Sequence, residues 1–250
     1  MRKLILFAAL FLPLCANALN ITDPFFMPES KQILSDTTLG FTNNAFKLNK
    51  SWGFYEKISA GISDDLTAGL SIGWADMRHE HSGMQDLSLF AKYRLAHEQD
   101  GGYFFDLEGY LSPKLFKSPY NGKNGSAKGS TDLGLRGTLG STKITEGLTL
   151  GSSFGFQAIG HTDLISSGSI WDLTGFGRYY LNEHNALGVS ISFKGYWGFD
   201  QDFMGINLGF DYSGDIIENK LALVPYFNVE THNHQIASST VWGLNARYIF

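Results

Sequence analysis

The sequence predicts an all-β fold, a transmembrane antiparallel up-and-down β-barrel of about 12 strands. Three observations lead to this prediction. Segments of about ten residues alternate apolar and polar side chains over most of the chain, with no helical period. The connectors between these segments alternate between short turns and longer stretches, as in outer-membrane barrels. The chain also ends on an alternating segment whose last residue is aromatic, Phe250.

The start of the chain has the layout of a secretory signal peptide. Basic Arg2 and Lys3 precede an apolar run that ends at Cys15, and Ala16-Asn17-Ala18 supplies the small residues of a cleavage site. The apolar run is too short to cross a bilayer as a helix. We therefore predict that residues 1–18 are a cleaved signal peptide and that the protein is exported.

Composition excludes several classes of function. Cys15 is the only cysteine and lies in the predicted signal peptide, so the mature chain has no thiol or disulfide chemistry. Removal of Arg2 and Lys3 leaves 17 basic residues (19 minus 2) against 24 acidic ones, which argues against a nucleic-acid partner. No later apolar run is long enough for a transmembrane helix, so a membrane form requires a closed barrel that pairs all its backbone groups.

The mature chain divides into two parts. Residues 19–30 place Pro24 and Pro28 on either side of an apolar patch, and we predict an irregular N-terminal segment that is either periplasmic or tucked into the barrel mouth. Residues 31–250 form the predicted barrel. An even strand count puts both ends of the barrel on the periplasmic side, where the short turns lie.

The alternation also predicts which face meets lipid. The polar faces are rich in Gly and Ser, which suits a crowded lumen better than a solvated surface. Aromatic residues recur near strand ends on the apolar face, as interfacial girdles require. They are Trp52, Trp74, Tyr103, Trp171, Trp197 and Trp242. Two residues resist the pattern: Pro225 predicts a bulge, and Glu56 falls on the lipid face, which a bulge or a position near the headgroups would reconcile.

The last strand has a distinctive apolar face, formed by Trp242, Leu244, Ala246, Tyr248 and Phe250. This ending resembles the C-terminal strand of bacterial outer-membrane barrels, in which it acts as the assembly signal. The resemblance implies assembly-signal roles for Trp242, Leu244, Tyr248 and Phe250, with the barrel-assembly machinery and outer-membrane lipid as partners. The alternative is the last strand of a soluble sandwich with Phe250 in its core.

The central third shows a more specific pattern. An Asp-led strand ending in Lys92-Tyr93-Arg94 is followed by a strand ending at Pro113, a Gly129-Ser130-Thr131-Asp132 strand entry, and a Gly-aromatic strand ending at Phe156. Over roughly residues 60–200 this order resembles the outer-membrane barrels named for the meta-pathway of phenol degradation. The chain departs from them after Pro113, where Lys114 stands in place of a Gly. The resemblance implies a small channel for aromatic or hydrophobic compounds and no catalytic residues.

Charged residues fall on the predicted lumen face. The candidate pore-lining residues are Lys57, Lys92, Arg94, Asp106, Glu108, Asp132, Arg136, Asp172, Arg178, Lys194, Asp211 and Arg247. Opposite charges lie on neighbouring segments, where each pair stabilises by roughly 0.2–1 kcal/mol. These residues predict either a polar pore that selects solutes by charge or a salt-bridged plug that does not conduct.

The sequence gives little support for catalysis or metal binding. None of the active-site motifs of barrel lipases, deacylases or proteases surrounds the histidines, so we predict a protein that is not an enzyme and uses no cofactor. His79-Glu80-His81 and His232-Asn233-His234 have a spacing that can hold a transition metal, but we interpret them as solvated loop residues and expect no metal. The segment from Lys114 to Lys128 is either an exterior loop or a cationic constriction. We predict a passive channel for small-molecule solutes; the alternatives are a non-conducting structural or adhesion barrel and, less well supported, a barrel enzyme.

Overall fold

In this computed structural model the described residues are 19–44, 50–77, 81–115, 129–161, 167–198, 203–232 and 239–250. The predicted signal peptide lies outside them. No helix in the described part is long and apolar enough to cross a membrane. The strands are β1 (Ile33–Asn44), β2 (Lys50–Ser63), β3 (Leu66–Met77), β4 (His81–Met84), β5 (Ser88–Ala96), β6 (Phe104–Ser112), β7 (Asp132–Thr145), β8 (Leu148–Ile159), β9 (Gly168–Asn182), β10 (Asn185–Trp197), β11 (Phe203–Ile217), β12 (Leu221–His232) and β13 (Ser239–Ile249), with one short helix, α1 (Glu98–Gly101).

The strands close into a ring. Each strand pairs antiparallel with its neighbours, and β1 pairs with both β2 and β13. β4 and β5 both pair with β3, at its two ends, so together they form a single wall strand interrupted at residues 85–87. The prediction of a 12-strand antiparallel barrel is therefore confirmed. Closure leaves no unpaired sheet edge, which is the condition for a β structure to exist in lipid.

The apolar faces point outward. Ile191 and Leu208 are 41% and 43% exposed, whereas Ser71 and Ser153 on polar faces are 3% and 7% exposed. The exposed apolar side chains include Leu70, Leu135, Phe154, Leu173, Val189, Phe210, Phe227 and Leu244. A continuous band of this kind is expected of a barrel that is immersed in lipid, and a water-soluble barrel would bury it.

Aromatic pairs mark the ends of the strands. At the end with the longer connectors, Phe41 stacks on Trp242 with ring centroids 4.5 Å apart, and Trp52 lies 4.8 Å from Trp74. At the end with the short turns, Tyr248 meets Phe250 edge-on at 4.7 Å. Amphipathic rings at both ends of an apolar band are typical of membrane interfaces.

Glu56 faces outward, but the bulge considered for it is absent. β1 and β2 keep one register from Ile33↔Ala60 to Asn43↔Lys50, and the outward neighbours Phe54 and Ile58 are exposed. The Glu56 carboxylate instead accepts hydrogen bonds from two hydroxyls of β1, Ser35 Oγ at 2.6 Å and Thr37 Oγ1 at 2.5 Å. Hydrogen bonding offsets part of the cost of holding a carboxyl group on an apolar surface.

The bulge predicted at Pro225 is also absent. Pro225 pairs with Leu244 of β13 in an unbroken register. On the other side, the bridges between β12 and β11 skip Tyr212 and Ser213 and resume in the same register. Proline supplies no N–H for a hydrogen bond between strands. The strands therefore lack β-bridges at this point, and no extra residue is inserted as it would be in a bulge.

Candidate functional site

The N-terminal segment, residues 19–32, crosses the lumen at the end with the short turns. On one side Asn20 Nδ2 donates to Asp215 Oδ2 at 2.8 Å and to the carbonyl oxygen of Glu183 at 3.2 Å. On the opposite side Ser30 forms a bridge with Gly61 of β2. The chain then turns into β1. The segment therefore spans the barrel from β9 and β11 to β2.

Asp23 anchors the middle of this segment. Its side chain is 2% exposed and accepts hydrogen bonds from Thr149 Oγ1 of β8 at 2.8 Å and from the Tyr180 hydroxyl of β9 at 2.6 Å. The backbone N–H of Phe25 also donates to it at 2.8 Å. Three donors satisfy a carboxylate that is removed from water, so the segment has a defined position.

Phe25 packs against the inner wall of the barrel beside Asp23. It is 0% exposed, with its ring 5.1 Å from Phe104 and 5.9 Å from Phe176. Its carbonyl oxygen accepts a hydrogen bond from Arg94, whose guanidinium lies 4.6 Å from the Phe104 ring centroid. Arg247 Nη1 donates to the carbonyl oxygen of Ile21 at 3.1 Å. The segment thus forms a floor across the lumen at the end with the short turns.

The lumen wall is cross-linked by ion pairs. The N–O distances are 3.5 Å for Lys57–Glu108, 3.2 Å for Lys92–Asp106, 2.8 Å for Arg94–Asp106, 2.6 Å for Arg136–Asp172, 2.5 Å for Arg178–Asp211 and 3.2 Å for Arg247–Asp36. Arg94–Asp106 and Arg247–Asp36 are directly opposite in register, as neighbouring charged segments suggest. Lys92–Asp106 is a diagonal contact between the paired strands β5 and β6, and the other three pairs join strands that are not neighbours.

Two of these pairs reach across an intervening strand. Gly155 lies between Arg136 and Asp172 in register, and a Cβ there would lie 2.9 Å from Arg136 Nη2. Gly188 has the same position between Arg178 and Asp211. In both cases a glycine on the inward face of one strand lies between inward charged residues of the two neighbouring strands. This pattern is the signal in the sequence that would have predicted both pairs.

The structure brings most of the predicted pore-lining residues together. Ten of them make the ion pairs above. Asp132, at 0% exposure, instead accepts hydrogen bonds from Ser130 Oγ and Gln157 Nε2. Lys194 lies opposite Asp172 in register, and no ion pair joins it to another described residue. The sequence reasoning missed Asp23 and Phe25, because their role depends on a segment with no regular pattern.

A cavity of about 220 Å³ lies between this wall and the segment. Its apolar lining residues are Pro24, Phe26, Met27, Pro28, Leu34 and Phe90. Its polar lining residues are Asp23, Asp36, Lys57, Ser59, Thr67, Lys92, Asp106, Glu108, Arg136, Thr138 and Arg247. The lumen therefore offers a small space lined by both apolar and charged side chains.

The histidines lie away from this cavity where the structure describes them. His97 pairs with Asp65 at 2.6 Å between two turns, and His184 lies in the β9–β10 turn. His79 and His234 lie outside the described residues, as does most of the segment from Lys114 to Lys128. In the described ranges no group of three metal-ligating side chains comes together.

A further polar contact ties helix α1 to the end of β7. Glu98 of α1 is 5% exposed, and its carboxylate accepts hydrogen bonds from Ser141 Oγ at 2.6 Å, Thr142 Oγ1 at 2.6 Å and the Lys143 N–H at 3.2 Å. Burial alone would raise the pKa of Glu98, but these hydrogen bonds and the Lys143 charge together hold it below its usual range.

The fold is similar to that of solved bacterial outer-membrane proteins. The COG4313 outer membrane channel from Pseudomonas putida F1 matches 93% of this chain and 100% of that chain with a TM-score of 0.71 at 11% sequence identity. The NanC porin matches 86% of this chain and 98% of its own with a TM-score of 0.58 at 10% identity. The KdgM porin matches 85% and 98%, with a TM-score of 0.50 at 14% identity. Identities this low establish the shared barrel fold and nothing finer.

No protein-family model matches the sequence, and no curated protein matches it. The resemblance to the meta-pathway barrels therefore stays a prediction.

Proposed function

We propose that this protein is a bacterial outer-membrane channel for small solutes whose lumen is closed at the periplasmic end by its own N-terminal segment. The closed barrel with an exposed apolar band and a charged, cavity-bearing interior is the observation behind the proposal. An interior of this kind suits polar passage, because solutes that leave water need polar partners along the path. The three structural neighbours described above are channels or porins, which is consistent with this role.

Export and membrane insertion form part of the same proposal. Residues 1–18 would direct secretion and be removed, and the barrel-assembly machinery would recognise the last strand. In support, Trp242 and Phe250 are 52% and 70% exposed on the outer surface, where another protein can contact them. The Phe250 N–H donates to the carbonyl oxygen of Ile33 at 2.9 Å, so the terminal aromatic lies at the seam between β13 and β1.

A non-conducting barrel is the second candidate, and the occluding segment favours it. Phe25 and Asp23 hold the segment across the lumen in fully buried positions, and the ion pairs cross-link the wall. In that case the barrel would act through its extracellular loops. The two candidates differ in whether the segment leaves its place.

Planar-bilayer recording of the refolded mature chain tests the proposal. We expect steady or flickering single-channel currents, and a reversal potential in a KCl gradient that reports the lumen charge. A chain that is folded, as judged by heat-modifiable migration, but silent at all voltages would contradict the channel function and favour the structural one.

A further inference from the structure

The charged side chains that line the luminal cavity differ in how far they are exposed. Asp106 is one of its carboxylates, but that side chain is 3% exposed and is held between Arg94 and Lys92. Asp23 is 2% exposed and is satisfied by its three donors. Both carboxylates are therefore withdrawn from the space they border.

Two of the lining cations are more exposed than the lining carboxylates. The Arg136 and Lys57 side chains are 39% and 34% exposed, against 23% for Glu108 and 18% for Asp36. Lys57 also has the longest of the luminal ion pairs, at 3.5 Å, so its ammonium retains donors that are not committed to Glu108. The surface that a solute meets is thus cationic, although the formal charges of the lining residues balance.

The two exposed cations line the same cavity. Lys57 pairs with Glu108, whereas the Arg136 guanidinium is held by Asp172 at 2.6 Å. The Lys57 ammonium is 4.0 Å from the Phe90 ring centroid, so a cation and an apolar ring are neighbours in the lining. Phe26 and Pro24 add further apolar surface to the same cavity.

We propose that this cavity is a binding site for small organic monocarboxylates, with the carboxylate on Lys57, the apolar body against Phe90 and the N-terminal segment, and Arg136 adding positive charge to the lining. An ammonium gives charge-assisted hydrogen bonds, which are stronger than neutral ones in a space shielded from water. Pockets for drug-sized ligands measure about 300–1,000 Å³, so this cavity admits only smaller solutes. The inference names the substrate class of the proposed channel, and it rests on that function only for the route of entry.

Calorimetric titration of the refolded mature chain in detergent micelles tests the charge preference directly. Benzoate, benzamide and benzamidine have nearly the same shape and carry a negative, zero and positive charge. We expect benzoate to bind at least about tenfold more tightly than benzamide, and benzamidine to bind most weakly. Equal affinities for benzoate and benzamide, a preference for benzamidine, or no heat from any of the three would overturn the proposal.

A pair of charge-matched variants locates the site. Lys57→Gln should weaken benzoate binding about tenfold while leaving benzamide unchanged. Lys220→Gln removes the same charge from an exposed turn and should leave both affinities unchanged. Loss of benzoate binding to the same extent in both variants would place the effect in overall charge and overturn the assignment to the cavity.

The outcomes separate this site from the channel function. A wild type that is silent in bilayers but prefers benzoate would contradict the channel and retain the site. A conducting wild type without that preference would contradict the site and retain the channel. If Lys57→Gln fails to fold, the three-ligand comparison on the wild type still decides.

Discussion

Replacement of Phe25 by Ala tests whether the N-terminal segment closes the lumen. The ring is fully buried among Phe104 and Phe176, and truncation of a buried Phe costs about 3–5 kcal/mol. Because the lost contacts join the segment to the wall, this cost falls mainly on docking of the segment and not on the barrel. At about 1.4 kcal/mol per tenfold change, the ratio of docked to undocked segment should fall by a factor between about 10² and about 4 × 10³.

Single-channel recording measures the result as open probability and conductance. Phe25→Ala should open more often than the wild type and reach a larger conductance. Phe154→Ala is the matched control, since that ring is 54% exposed on the outer surface. It should leave the currents unchanged.

A reversible tether provides the decisive comparison. Thr22 Oγ1 and Ser213 Oγ are 3.3 Å apart, and the only cysteine of the chain lies in the predicted signal peptide. Cysteines at these two positions can form a disulfide after small side-chain rotations. In the Phe25→Ala background the oxidised form should be closed and the reduced form open. Currents that are the same in both redox states, and the same as those of Phe154→Ala, would refute the occlusion argument.

Three further outcomes follow from the barrel and its turns. Ile191→Arg should lower folding stability by about 2–4 kcal/mol in lipid, because the residue faces outward in the apolar band. Ser190→Arg on the other face should cost clearly less; equal losses in urea titrations of both variants would contradict a lipid-facing apolar band. Phe250→Asp should leave the protein in the periplasm as aggregate or fragments; normal heat-modifiable barrel in the outer membrane would argue against the terminal strand as the assembly signal. Glu98→Gln should cost about 2 kcal/mol at neutral pH by weakening charged hydrogen bonds. The folded pKa of Glu98 is lowered, so the stabilisation by its carboxylate is present above the unfolded pKa and is lost as the pH falls through the folded pKa. The unfolding free energies of wild type and variant should therefore converge in acid. A constant difference between them down to low pH would contradict the role of the charged carboxylate.

The sequence by itself determined the wall of this protein. Alternation with period two is a local property of an extended chain, so it predicted the strand positions, the outward position of Ile191 and the inward position of Asp106 without knowledge of the fold. The short turns and the terminal aromatic predicted which end of the barrel is periplasmic, and this stays a prediction. Even the outward position of Glu56 followed from alternation.

Only the tertiary structure decided which side chains of the wall meet across strands and where the N-terminal segment lies in the lumen. Arg136 meets Asp172 across Gly155, and the hydroxyls of β1 reach Glu56, because closure and register fix which strands are neighbours. Phe25 belongs to a segment with no period, and its place in the lumen arises from contacts with strands far away in sequence. Such contacts depend on the position of the whole ring of strands, which no local pattern encodes.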